Sequence, residues 1–207
     1  MKVLIINGSP NKNGSTNAAL QEVAKTLGEC GVESELVHIG KGPFYGCTAC
    51  GACDKTPRCV FKDDCVNSLI EKMENADGLI VGSPVHFASA TGPIVCVLDR
   101  MFRAGQCYAH KPAAAIGVAR RAGSMATMDE LNKYFSIKQM PLVSSTYWNI
   151  AYAASAKDIP SDLEGMQTMR NLARNMAWML KCIEAAKEKG IEPPEAETGA
   201  RTNIISQ

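Results

Sequence analysis

Asn7-Gly8-Ser9-Pro10-Asn11-Lys12-Asn13-Gly14-Ser15-Thr16-Asn17 is the stretch on which the fold turns. Just before it, Val3 to Ile6 is apolar and rich in β-branching, which reads as a buried strand. Just after it, Leu20, Val23, Ala24 and Leu27 recur at i, i+3, i+4 and i+7, one face of an amphipathic helix. A strand therefore enters a turn rich in glycine and hydroxyls and leaves as a helix whose first N–H groups lack intrahelical acceptors. Those donors, the hydroxyls of Ser9, Ser15 and Thr16, and the positive end of the helix dipole make an anion site. The ligand expected there is a phosphate group.

The 207 residues suffice for one domain with a substantial core. A content of 46% hydrophobic and 21% charged residues is that of a soluble globular protein. The net charge of +1 argues against a nucleic-acid or anionic-membrane partner. No apolar run approaches the roughly 18–20 residues of a membrane span, and the opening residues carry no basic leader or cleavage site, so a cytoplasmic location is expected. Nine cysteines are many, and their concentration between Cys47 and Cys65 favours metal or redox chemistry over structural bridging.

Working along the chain, Gly31 stops the first helix and Glu33 to Ile39 alternates as a second strand. A polar segment rich in glycine and cysteine follows, from Gly40 to about Asp64, and loops of that length in a compact domain usually carry function. Asp63 or Asp64 is placed to cap a helix with the face Val66, Leu69, Ile70 and Met73. A third strand, Gly78 to Gly82, runs into a second turn, Ser83 to Gly92, and Pro93 opens a helix that buries Ile94, Leu98, Met101 and Phe102. Ala113 to Val118 forms the fourth strand, followed by a loop from Ala119 to Ser124. Thr127-x-x-Glu130 resembles a capping box for a helix through Phe135, and Pro141 to Tyr147 is expected as the fifth strand. A second box, Ser161-x-x-Glu164, opens a long helix with the stripe Leu163, Met166, Met169, Leu172, Met176, Leu180 and Ile183, ended by Gly190 and Pro193-Pro194. Strands alternating with helices predict an α/β doubly wound domain over residues 1–194 with a parallel sheet, and a tail at 195–207.

Spacing separates the nucleotide loops. A Walker A loop needs Gly-x4-Gly-Lys and then Ser or Thr, but here five residues separate Gly8 from Gly14, and Ser15 replaces the lysine. A dinucleotide fingerprint needs Gly-x-Gly-x-x-Gly and an acid ending the second strand, and His38-Ile39-Gly40 supplies none. Both fail. What remains resembles the flavodoxin-like fold, and within it the NAD(P)H-dependent FMN reductases. The resemblance rests on Gly8-Ser9-Pro10 through Ser15-Thr16-Asn17, on Gly82-Ser83-Pro84-Val85-His86-Phe87, and on Thr91-Gly92-Pro93 leading to Leu98-Asp99-Arg100. It implies FMN as cofactor and the strand order 2-1-3-4-5, whose switch point lies between strands one and three.

By that resemblance Ser9, Asn11, Gly14, Ser15, Thr16 and Asn17 hold the phosphate, while Pro84, Val85, His86, Phe87 and Ser89 set the flavin ring. The loop at Ala119 to Ser124 completes the cradle and adds Arg120 to the cofactor-binding set. Arg120 and Arg121 are placed for flavin oxygens, an NADPH 2′-phosphate or a neighbouring subunit. Many members of the family carry Tyr where His86 stands, which shifts ring stacking towards Phe87.

Cys47-x2-Cys50-x2-Cys53-x5-Cys59 is the most specific pattern in the chain. Bacterial ferredoxins use a related run to place thiolates on iron, whereas zinc usually draws on two separated knuckles, of which this chain has one. The pattern, and its place after the second strand, is similar to that of the iron–sulfur flavoproteins, and implies a [4Fe–4S] cluster on Cys47, Cys50, Cys53 and Cys59. Free thiols, a labile disulfide or zinc remain the alternatives. Cys65 is expected as a spare thiol, Cys96 and Cys182 as small core residues, and Cys30 and Cys107 carry no motif. Tyr147 and Trp148 are placed for the site rim or for packing.

The function expected is an FMN-dependent oxidoreductase between NAD(P)H or ferredoxin and an acceptor, working as a homo-oligomer, a dimer or tetramer. Two alternatives stand beside it: a cluster-free NAD(P)H-dependent FMN or quinone reductase, and a non-catalytic flavodoxin-like carrier or redox sensor.

Overall fold

A computed structural model describes residues 1–106, 108–200 and 202. Five parallel strands form one sheet in the order β2-β1-β3-β4-β5. In chain order the elements are β1 (Lys2–Asn7), α1 (Ser15–Glu29), β2 (Glu33–His38), α2 (Val66–Glu74) and β3 (Gly78–Pro84), followed by α3 (Gly92–Ala104), β4 (Ala113–Ala119), α4 (Ser124–Ile137), β5 (Ile150–Tyr152) and α5 (Leu163–Glu188). This is the flavodoxin-like order, with the switch between β1 and β3.

The sheet is buried on both faces because successive side chains of a strand point to opposite sides. Leu4, Ile6, Leu79 and Val81 pack with α2, α3 and α4, while Val3, Ile5, Ile80 and Ile116 pack with α1 and α5. The inner runs Val3–Ile6, Leu79–Val81 and Ala113–Val118 are therefore apolar throughout, as parallel strands between two helical layers require. At the sheet edge, β2 mixes polar and apolar residues. The register of β1 pairs Asn7 with His38 on one side and Gly82 on the other, which brings the carboxyl ends of three strands level.

Three helix and strand boundaries differ from the sequence reading. The first is β5. Pro141–Val143 touches the start of β4, with Ala113 N donating to Pro141 O at 2.8 Å and Val143 N to Ala113 O at 2.8 Å. The chain then leaves the sheet, because its polar residues are drawn to α5. Ser145 Oγ donates to Thr168 O at 2.7 Å, Asn171 Nδ2 to Thr146 Oγ1 at 3.1 Å, and Asn175 Nδ2 to Ser144 O at 2.8 Å. It rejoins β4 through Gly117 N and Asn149 O at 3.0 Å and only then runs as Ile150–Tyr152.

The second is α4, which starts at Ser124 and not at a Thr127 cap. Gly123 adopts φ +95°, which glycine alone takes at low cost, and Thr127 lies buried inside the first turn. The third is α5, where Asp162, not Ser161, is the cap, its Oδ1 accepting from Gly165 N at 3.0 Å. Shifting the start leaves Leu163 76% exposed, outside the stripe it was expected to join, while Met166, Met169, Leu172, Met176 and Leu180 are buried.

Among the cysteines, Cys182 is exposed, correcting its expected core role, and Cys96 is half-buried. Cys107, and residues 201 and 203–207 of the expected tail, lie outside the described residues. Among the described residues no helix is long and apolar enough to cross a membrane.

Two leucines of α5, Leu163 and Leu172, test the corrected stripe. Leu172→Ala empties a fully buried position and should cost about 2–5 kcal/mol in urea unfolding. Leu163→Ala should stay within about 0.5 kcal/mol of the parent protein.

Candidate functional site

Four strand ends build one cleft of about 550 Å³, open to solvent on one side. The β1 turn supplies Ser9, Asn11, Gly14, Ser15 and Thr16, and the β3 turn supplies Pro84, Val85 and His86. Arg120 after β4 and Ala153-Ala154 after β5 complete the wall. Nine of the twelve residues read from the sequence as cofactor-binding thus share one cavity.

The β1 turn is held by its own side chains. Ser9 N donates to Asn7 Oδ1 at 3.0 Å, Asn11 N to Ser9 Oγ at 3.1 Å, and Gly14 N to Asn11 O at 3.1 Å. His38 Nε2 meets Ser9 O at 2.7 Å from the end of β2. A Cβ on Gly14 would stand 3.2 Å from Asn11 Cβ, so a side chain there would crowd the turn. Helix α1 then begins with no side-chain cap and no acid in its first turn. The N–H groups of Ser15, Thr16 and Asn17 precede the first helical acceptor, which Ala18 N finds in Gly14 O at 3.1 Å. They face the cleft end of a helix dipole, which is where an anion is stabilised.

The β3 turn is folded back on itself. His86 N donates to Ser89 O at 2.9 Å and Ser89 N to His86 O at 3.0 Å, throwing Phe87 and Ala88 into left-handed φ of 50° and 60°. The Phe87 ring stands fully exposed at the tip. The turn is held from α4 by Glu130, whose Oε2 accepts from Ser89 Oγ and, at 2.8 Å, from Ala90 N. Gly123 packs under it so closely that a Cβ would lie 2.7 Å from Ala88 Cα and from Val85 Cγ1. Of the remaining sequence-derived residues, Asn17 accepts from Asn7 Nδ2 at 3.3 Å one step inside α1, and Phe87 and Ser89 sit beyond the cleft lining. Tyr147 and Trp148 pair edge-to-face at 4.7 Å in the excursion before β5, away from this cleft.

The cysteine loop forms a second hollow, of about 360 Å³ including its mouth, and Cys47, Cys50, Cys53 and Cys59 all line it. Ala49 and Gly51 take φ of 53° and 71°, which coils the first three cysteines around a short helical turn at Ala52–Asp54. None of the four is joined in a disulfide; Cys47 and Cys50 are exposed and the other two half-buried. Asn67 of α2 clamps the Cys59 backbone, its Oδ1 accepting from Cys59 N at 2.8 Å and its Nδ2 donating to Cys59 O at 3.0 Å. Among the described residues no three His, Cys, Asp or Glu side chains converge tightly enough for a single metal ion.

Arg100 of α3 closes this hollow from beneath, 1% exposed. Its Nε donates to Cys59 Sγ at 3.1 Å and its two terminal nitrogens to Asp64, Tyr45 O and Phe61 O. Burial opposes the charge, but Asp64 and Cys59 outweigh it and hold the guanidinium pKa above its ordinary value. Next to it, burial and the Asp64 carboxylate push the Cys65 thiol up to about 11.

The model of the family described as NADPH-dependent FMN reductase matches residues 1–155. The chain belongs to that family. It is therefore an FMN-dependent oxidoreductase with a flavodoxin-like fold. It is 30% identical over 193 residues to an iron–sulfur flavoprotein of Methanocaldococcus jannaschii, covering 89% of this chain and all of that one. It is 29% identical over 196 residues to an iron–sulfur flavoprotein of Methanosarcina thermophila, with 91% and 100% covered. Among solved structures, a flavodoxin from the domain Archaea superposes with a TM-score of 0.60 at 14% identity, covering 87% of this chain and 99% of that one.

This family member has site residues that pattern reading missed. Ala153 and Ala154 were hidden by the misplaced fifth strand; the apolar Ile150-Ala151-Tyr152 ahead of them is the signal that marks them. Glu130, in capping-box spacing, serves the β3 turn instead, and Asp64, which accepts from Val66 N at 3.1 Å at the start of α2, also pairs with Arg100. A charged arginine on the apolar face of α3, two residues from Leu98, is the signal for Arg100.

Glu130→Ala frees the β3 turn, and FMN affinity should fall about tenfold or more, near 1.4 kcal/mol, as read by quenching of flavin fluorescence. With iodoacetamide at pH 8, Cys65 should label far more slowly than exposed Cys182, and peptide mass spectrometry over time reads the order.

Proposed function

We propose that this oxidoreductase moves electrons between NAD(P)H or ferredoxin and a small-molecule or protein acceptor, using FMN in the cleft and a [4Fe–4S] cluster on the cysteine loop. The observation that carries the cluster is the convergence of Cys47, Cys50, Cys53 and Cys59 on one hollow, with Arg100 donating to Cys59 Sγ. A cubane seats each thiolate on its own iron, so its ligands stand farther apart than those of a lone ion. Four cysteines are the donor set such a cluster takes, and here all four line the same hollow. The two relatives described above, matched over their whole length, are both named iron–sulfur flavoproteins.

The free N–H groups of Ser15, Thr16 and Asn17, with the hydroxyls of Ser9, Ser15 and Thr16, take the phosphate. Pro84, Val85 and His86 border the ring, Phe87 and Ser89 shape the turn over it, and Asn11, Gly14 and Asn17 keep the phosphate turn closed. Arg120 brings a positive charge to the same wall. Bound FMN supplies two-electron chemistry with the nicotinamide and one-electron chemistry with the cluster.

Arg100 lies nine residues along α3 from Thr91, roughly 14 Å at helical rise. Within one chain the two centres thus sit at opposite ends of a helix. A homo-oligomer, dimer or tetramer, that sets the cluster of one subunit beside the flavin of another shortens that path. The cytoplasm, which keeps thiols reduced, suits such a centre.

Anaerobically purified protein should show flavin absorbance together with about four iron and four acid-labile sulfide per chain, and Cys50→Ser should lose iron while keeping FMN. Flavin without iron, bleached rapidly by NADPH, would instead establish the cluster-free reductase. Flavin reduced by ferredoxin and indifferent to both pyridine nucleotides would establish a carrier.

A further inference from the structure

We propose that Arg100 is the positioning residue of the cysteine centre. In this role it fixes the cysteine loop to α3, and its buried charge sets the reduction potential of the cluster the loop holds. The inference rests on the [4Fe–4S] reading above.

The guanidinium is spent completely within this loop. Its five N–H donors meet five acceptors: Cys59 Sγ at 3.1 Å from Nε, Tyr45 O at 3.3 Å and Asp64 Oδ2 from Nη1, and Phe61 O at 3.4 Å and Asp64 Oδ1 at 3.2 Å from Nη2. Its face lies 5.1 Å from the centroid of the Phe61 ring, which is itself stacked on Tyr45 at 5.2 Å. One side chain thus gathers residues 45, 59, 61 and 64, which bracket the cysteine run. A rigid planar fork suits this task; a lysine ammonium is a point charge and cannot reproduce it.

A purely structural arginine does not need a sulfur among its acceptors. Here the sulfur belongs to the last of the four cysteines, the one separated from the others by five residues. A buried donor on a ligand sulfur, and a fixed positive charge beside it, favour the reduced form of a cluster, which carries one more negative charge. Arg103 is not equivalent, because its contact with Asp54 at 2.6 Å is exposed on both sides and weakened by water. Asp64, 8% exposed, is the counter-charge that tempers Arg100. Charge removal at the two positions should therefore move the potential in opposite directions, which loosening of the loop alone would not do.

The test is an anaerobic potentiometric titration, followed by visible and electron paramagnetic resonance spectra, on parent, Arg100→Gln, Arg100→Lys and Asp64→Asn proteins. Iron, sulfide and FMN contents and far-ultraviolet circular dichroism are measured on the same samples. Arg100→Gln should shift the cluster couple at least tenfold towards the oxidised form, about 59 mV for one electron, with FMN content unchanged. Arg100→Lys, which keeps the charge, should fall between it and the parent, and Asp64→Asn should shift the couple the other way. Loss of iron from Arg100→Gln alone, with parent-like dichroism and FMN, supports the loop-fixing role. Should the Arg100 variants not fold, Asp64→Asn decides: a shift towards the reduced form supports the inference, and an unchanged couple overturns it. Folded Arg100 variants with parent potential and iron content also overturn it, while leaving the cluster reading intact. A parent protein without iron overturns both.

Discussion

Gly8 is gripped from two sides, its N–H donating to Gly82 O at 2.8 Å and its C=O accepting from the Thr91 hydroxyl at 2.8 Å. A Cβ there would stand 2.7 Å from Ile94 Cβ, so the backbone of β1 comes as close to α3 as only glycine allows. Thr91 N in turn donates to Ser83 Oγ at 3.1 Å, and Thr91 Oγ1 caps α3 at Ile94 N. One threonine therefore links the phosphate turn, the β3 turn and the start of α3. The cleft exists because the two turns at the sheet's switch point are bonded to each other and not merely adjacent.

From that anchor α3 runs outward as a beam. Leu98 is buried, Asp99 accepts from Tyr134 Oη at 2.6 Å to hold α4, and Arg100 reaches the cysteine loop. Three consecutive residues on a helix point in three directions, about 100° apart, and each direction has a different employment. Burying Arg100 carries a desolvation cost that the Asp64 pair offsets only because the geometry is complete. A long loop would be an expensive place for such an arrangement if it served stability alone. Phe44, Cys53, Cys59 and Cys65 lean on the core, and a polar network around Arg100 adds to what holds the cysteine hollow.

The alternation of strands and helices, the two-layer core and the cavity-lining turns were legible because each rests on local signals, whereas the strand order came with the family resemblance. Val3–Ile6 is apolar on both faces, Gly8 and Gly14 punctuate the turn, and Leu20, Val23 and Leu27 keep helical period. Two of the errors share one cause, which is competition by a partner distant in sequence. Ser144-Ser145-Thr146 has strand propensity, yet its hydroxyls and carbonyls are taken by Thr168, Asn171 and Asn175 of α5. Thr127 and Glu130 have capping-box spacing, yet Gly123 sets the helix start and Glu130 is drawn 40 residues back to Ala90. Spacing rules describe what a segment does with its own backbone. They are silent on what a side chain does for another turn.

The same distinction divides the site. The phosphate turn is built from contiguous residues, so its chemistry is written in one stretch. The cysteine spacing is equally local, but what makes the four thiols a single hollow is not, since Arg100, Arg103 and Ala104 of α3 and Asn67 of α2 close it. Thr91 caps α3 and Arg100 lies nine residues along it, so the cleft and the cysteine loop are tied to the same helix. The place of the cysteine hollow relative to the cleft is thus set by a helix and not by a loop. The cysteine loop can be long and irregular and still be held at a fixed place, provided one buried side chain fastens it to that helix.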